Sequence, residues 1–251
     1  MLETLLAYHF TPIQWALAIL CAMLVGMSKA GLNSVSIITV SVFAWLFGSK
    51  VSTGVLLPML ICADILAVFY YKRHANWQLL LRLAPWIVIG VLAGVWIGKD
   101  LNEAVFKKMM AAIILLVVIA LFWFEKRPLK NVPHSLWFAG IMGIGTGFTS
   151  MVGNQAGGFT NVYFLSMRLS KNDFIGTIAW LFLFVNLFKL PFHVFSWKTV
   201  NEHSIAINLA LLPFLVIGFH IGIYIIKSIA DARYRQLILW LTAAATLFVI
   251  L

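Results

Sequence analysis

The chain has 251 residues, of which 63% are hydrophobic and only 10% charged, and carries a net charge of +10. A soluble domain is nearer half apolar and a quarter charged, so the composition excludes an ordinary globular protein and points to an all-α polytopic membrane protein. The basic residues lie mostly in short loops between apolar runs, with no long basic run or tail; this excludes nucleic acid as a partner and reads as membrane topology.

From the N-terminus, "MLETLLAYHFTPIQW" lacks the basic segment and small-residue cleavage site of a signal peptide, so the first apolar run is expected to belong to the mature fold. Apolar runs follow at about 12–27, 32–47, 52–71, 80–98 and 104–124, then at about 135–152, 157–167, 174–195, 204–226 and 233–251. The first two runs of each set are mostly short, about 11 to 18 residues. At 1.5 Å per residue the shortest cannot cover ~30 Å of hydrocarbon. They are expected to be half-helices in a hairpin or tilted, broken spans. Cys21 and Cys62 lie within apolar runs and read as small buried hydrophobes.

The two sets are copies of one another. A shift of 122 places Trp15 on Trp137, Ser28 on Ser150, Gly31 on Gly153, Gly54 on Gly176 and Asp64 on Asn186. A shift of 128 overlays "PWIVIGVLAGVWIGK" (85–99) on "PFLVIGFHIGIYIIK" (213–227), with identity at Pro85, Val88, Ile89, Gly90, Gly94, Ile97 and Lys99. Six extra residues therefore fall in the second copy, near Trp197–His203. Five elements per copy is an odd number, so the second copy must enter from the opposite face. The expected fold is two inverted five-element repeats, 1–130 and 131–251, in one transmembrane domain of about eight to ten elements, some short or re-entrant. Lys72, Arg73, Arg82, Lys126, Arg127, Lys130, Arg168, Lys171, Lys227, Arg233 and Arg235 collect on one face, against Lys50, Lys99, Lys107, Lys108 and Lys198 on the other. That asymmetry places the first set in the cytoplasm and both termini outside. The G-x-x-x-G pairs Gly90/Gly94 and Gly218/Gly222 read as close helix packing in lipid.

Few ionisable residues remain within spans, and a charge at that depth usually marks a pathway or a paired site. Lys29 stands in "VGMSKAGLNSVS" with Ser28, Gly31 and Asn33, between two short elements. If the chain unwinds there, free backbone N–H groups and an ammonium make an anion site. Otherwise Lys29 snorkels to the interface. The corresponding break, "TSMVGNQAGGF", offers Ser150, Asn154, Gln155 and Gly157; its alternative role is glycine-mediated packing. Polar breaks at matching places in inverted copies point to a midplane site. Asp64 has three readings: a coupling cation site, a proton carrier, or the counter-charge of Lys29 or Lys189, the last preferred because buried charges pair. Lys189 is either a substrate contact or a salt-bridge partner. His193 is a proton relay or a satisfied polar residue, and His220 a further polar residue of the spans. No metal site or catalytic constellation is expected, since H-E-x-x-H, G-x-S-x-G and Cys/His clusters are lacking in the sequence.

Taken together, "GMSKAGL", "PMLICADILAVFYYKRHANW", "PWIVIGVLAGVWIG", "GNQAGGFTNVYFL" and "FIGTIAWLFLFVNLFKLPFH" resemble the sulfite exporter TauE/SafE family over essentially the whole chain. The resemblance implies export or exchange of small sulfur oxyanions and sulfonates across a bacterial inner membrane. It implies substrate contacts in the "SKAGL" and "GNQAGG" segments, with Thr177, Trp180, Asn186 and Lys189 near them.

The function expected is a secondary transporter, an exporter of a small sulfur-containing anion, working by alternating access. With the interior negative, each negative charge leaving gains ~2.3 kcal/mol per 100 mV, so efflux needs no coupling ion. The alternatives are an anion channel, an exchanger of another small carboxylate or inorganic anion, and a membrane-embedded enzyme. No cofactor is expected. The expected partners are the anion and the lipid bilayer, with a homo-oligomer left open.

Overall fold

The computed structural model describes residues 10–125, 136–230, 233–234, 236–238 and 240–241, and their regular structure is helical throughout. Nine α-helices follow among the described residues: α1 (Pro12–Lys29), α2 (Ser36–Phe47), α3 (Ser49–Tyr71), α4 (Trp77–Gly98), α5 (Glu103–Glu125), α6 (Leu136–Gly153), α7 (Gly157–Ser166), α8 (Lys171–Pro191) and α9 (Glu202–Lys227). Six of them, α1, α3, α4, α6, α8 and α9, are long and apolar enough to cross a bilayer. At 12 and 10 residues, α2 and α7 reach only about 18 and 15 Å, too short to cross, as their apolar runs predict. The element expected at 233–251 is helical where described, and its remainder lies outside the described residues, as do Lys126, Arg127, Lys130 and Arg235.

Side-chain caps start most helices. Thr11 caps α1 in a capping box with Gln14, with Pro12 in its first turn; Asn76 caps α4, Asn102 α5, Ser170 α8 and Asn201 α9. Glu103 reaches across from α5 to take the N–H groups of Ser49 and Lys50, which cap α3 from outside its own sequence. The helices α2 and α7 differ: Val35 and Ala156 occupy their N-cap positions and provide no side-chain bond.

The packing repeats between copies. The two most extensive helix pairings are α4 with α6 and α9 with α1, which exchange under the repeat, and α3 crosses α8. Small residues bring the backbones together. A Cβ on Gly90 would lie 2.2 Å from the Ile144 carbonyl oxygen, and one on Gly218 would lie 2.1 Å from that of Met23. Likewise Gly26 meets the Leu215 oxygen and Gly147 that of Ile87. These contacts superimpose at a shift of 121 for the first helix of each copy, one residue less than the alignment of Trp15 with Trp137. The register is set by where glycine lets backbones touch, and large lipid-facing residues such as Trp137 do not constrain it. Gly54 and Gly176, equivalent at 122, each receive the turn that follows the other copy's long helix: Thr199 packs on Gly54, and His74 on Gly176. After Pro191, α8 ends in one π-helical turn, Phe192–Ser196.

Candidate functional site

Two breaks bring the buried polar residues together. At the end of α1 the N–H of Gly31 bonds the Ser28 carbonyl and that of Leu32 bonds the Met27 carbonyl, closing the helix in a Schellman pattern. Gly31 has φ +134°, which glycine adopts without strain. Its carbonyl accepts the Tyr234 hydroxyl at 2.7 Å, and the Ala30 carbonyl accepts that of Tyr71 at 3.0 Å. At the end of α6, Asn154 takes φ 54°, a conformation asparagine tolerates better than other side chains do. The chain restarts beyond each break as α2 and α7, whose N-terminal turns lack side-chain caps and abut the same cavity through Ser36, Ala156 and Gly157.

Lys29 does not snorkel. Its ammonium lies 2.7 Å from Asp64 Oδ1, with the two side chains 7% and 0% exposed. It also sits 4.1 Å from the centre of the Phe182 ring, a cation–π contact in a dry setting. The other carboxylate oxygen of Asp64 accepts from Asn186 Nδ2 at 2.5 Å. These two residues are equivalent at the 122 shift, so the copies meet at a pair of matching positions.

Lys189, fully buried one turn further along α8, makes no ion pair among the described residues. Its nitrogen donates to Asn154 Oδ1 at 2.5 Å, the Ser150 carbonyl at 2.9 Å and Ser150 Oγ at 3.1 Å. Three surrounding oxygens match the three donors of an ammonium. Asn154 Nδ2 in turn donates to the Thr53 carbonyl at 3.0 Å, tying the second break to α3. Ser28 Oγ and Ser36 Oγ both donate to the Asn33 carbonyl, which fixes the first break. The side-chain nitrogens of Asn33 and Gln155, matched at the 122 shift, are both buried without a hydrogen-bond acceptor.

Between the breaks is a cavity of about 20 Å³, lined on its polar side by Ser28, Lys29, Ser36, Ser150, Asn154, Asn186 and Lys189. Leu60, Phe182, Ala156 and Gly157 complete it. It holds about one water and is too small for a sulfur oxyanion. A Cβ on Gly157 would meet only the Asn33 carbonyl oxygen, at 3.9 Å; the missing side chain leaves open space.

Other residues singled out in the sequence lie elsewhere. Gly31 packs on Ile175 and Ile226. Thr177 accepts the Asn76 N–H and donates to the Asp173 carbonyl, holding the turn before α4. Trp180 lies against Trp77, ring centres 5.0 Å apart and tilted by 53°, in a lateral apolar cavity of about 310 Å³ with Leu81 and Phe184. His193 bonds Thr199 Oγ1 at 2.8 Å and its carbonyl receives the N–H groups of Thr199 and Val200, which organises the turn after α8. The ring of exposed His220 bonds its own helix at the Val216 carbonyl. Sequence reasoning missed Ser36 and Phe182. Phe182 was recoverable, because positions 182, 186 and 189 share one helical face.

A family model described as "Sulfite exporter TauE/SafE" matches residues 18–249, nearly the whole chain. The chain belongs to the TauE/SafE family. TauE/SafE proteins are membrane transporters, so the apolar helices of this chain are those of a multi-pass membrane protein. No curated protein and no solved structure matches the chain. The TauE/SafE match spans both breaks and every polar residue of the cavity.

Proposed function

We propose that the protein is a secondary transporter that exports a small sulfur-containing anion, sulfite or a short organosulfonate, by alternating access around the cavity between the breaks. The observation that carries this reading is the convergence of two buried ammonium groups, Lys29 and Lys189, on one cavity bordered by two helix starts without side-chain caps. Ammonium groups, hydroxyls, an amide and helix starts without side-chain caps suit the oxygens of a sulfonate. In this reading the anion enters when the copies separate and competes with Asp64 for Lys29, while Asn186 steadies the displaced carboxylate. The small cavity then corresponds to the empty, closed carrier. The two copies are inverted, residues 1–130 and 131–251. The termini face away from the cytoplasm of a bacterial inner membrane, with Lys72, Arg73 and Lys171 on the cytoplasmic side.

The test is charge movement in proteoliposomes of the purified chain offered sulfite, thiosulfate, methanesulfonate, taurine, acetate and chloride in turn. A saturable response to a sulfur anion, reduced at least about tenfold by Lys189→Gln in folded protein, is the expected outcome. Rates far above those of a carrier, without saturation, would instead identify an anion channel. Silence toward every anion, in both current and labelled-substrate exchange, would remove the assignment.

A further inference from the structure

We infer that the cavity selects anions by valence and takes those carrying a single negative charge, so that of sulfite it takes the hydrogensulfite form. The inference rests on the cavity being the transport site, and it deepens that reading by naming the substrate's charge.

Among the described residues, the only ionisable side chains lining the cavity are Lys29 and Lys189. Asp64 stands directly behind Lys29 at 2.7 Å. Two ammonium groups and one carboxylate leave one positive charge; Lys29 is paired with Asp64, whereas the hydrogen-bond partners of Lys189 among the described residues are the neutral oxygens of Ser150 and Asn154. The helix poles do not alter the count. At each break one helix ends where another begins, α1 before α2 and α6 before α7, so a negative pole lies beside a positive one. The starting turns, which carry no side-chain cap, therefore add little net field.

A buried uncompensated charge is costly, and an anion of one charge cancels this one. With a monoanion on Lys189 the Lys29–Asp64 pair stays intact and every charge in the site is matched. A dianion leaves one negative charge unmatched unless Asp64 gains a proton. Asp64 therefore acts as a resident anion that occupies half the positive charge of the site and so sets the valence of the substrate.

The test compares methanesulfonate with sulfate, tetrahedral ions of similar size that differ by one charge, using equilibrium binding to the full chain in lipid nanodiscs. Ethanesulfonate against ethanedisulfonate gives a second pair. The wild-type chain should bind the monoanion of the first pair at least about tenfold more tightly. Asp64→Asn, which leaves two positive charges, should shift the ratio at least about tenfold toward sulfate, and Lys189→Gln should abolish the preference. Equal or tighter sulfate binding by the wild-type chain overturns the inference, and so does an unchanged ratio in folded Asp64→Asn. If Asp64→Asn does not fold, the wild-type comparison decides alone. Binding of both ions with sulfate preferred leaves the sulfur-anion transporter standing and removes only valence selection. Failure to bind or move either ion, or sulfite, removes both.

Discussion

Removing the Asp64 carboxylate strands the Lys29 ammonium at a position only 7% exposed, without its ion-pair partner. Asp64→Ala should therefore lower stability by about 3–5 kcal/mol, the usual result of breaking a buried pair from one side. Lys29→Met combined with Asp64→Leu should recover most of that loss, because neither partner is left uncompensated. Thermal unfolding of wild type, Lys29→Met, Asp64→Leu and the double variant in one detergent checks the coupling, and additive losses would show that the pair does not interact. Gly157 makes the opposite kind of prediction. A methyl group there meets no atom closer than 3.9 Å, so Gly157→Ala should change stability little, within about 0.5 kcal/mol. Yet it narrows the cavity and should reduce substrate affinity at least about threefold if that cavity is the transport site, measured by binding of sulfite or methanesulfonate.

At the scale of elements, helix faces explain why some of the expected site residues are present in the cavity and others are not. On α8 the cavity face runs through Phe182, Asn186 and Lys189, while Thr177 and Trp180 turn toward the segment 76–77 at the start of α4. The family resemblance marks all of these positions alike, whereas helical periodicity separates them. The start of α3 was less legible: its cap, Glu103, is 54 residues away from Ser49, and no local pattern announces a cap supplied by another helix. Close helix approach was readable from Gly90 and Gly218, but the identity of the touching backbone was not. Gly218→Ala should push α9 from α1, since its Cβ would fall 2.1 Å from the Met23 carbonyl oxygen and backbone cannot step aside cheaply. A loss of about 1–3 kcal/mol is expected, read as a fall in the unfolding midpoint of purified protein. A wild-type midpoint would mean that the two helices can separate freely.

For the whole molecule, apolar run lengths located every described helix within a few residues, because in lipid the backbone must bond to itself and long apolar runs have no other option. What the sequence could not supply was which buried charges meet, since Lys29 and Asp64 lie on different helices and only folding decides that they pair while Lys189 does not. If the site moves a net negative charge, an inside-negative potential should speed efflux of preloaded methanesulfonate from oriented proteoliposomes, and collapsing it with valinomycin and equal potassium should slow efflux. A rate indifferent to the potential would indicate electroneutral exchange. The contact between Asp64 and Asn186 carries a consequence for ancestry. In the proposed inverted-repeat arrangement a residue that touches its own counterpart lies on the axis relating the halves, and two identical halves would set aspartate against aspartate there. A homodimer of separate copies could keep both acids only by holding a proton between them, as closely paired carboxylates do. In the proposed inverted-repeat arrangement, joining the halves in one polypeptide frees one member to become an amide, so an ionised carboxylate can face its counterpart without sharing a proton.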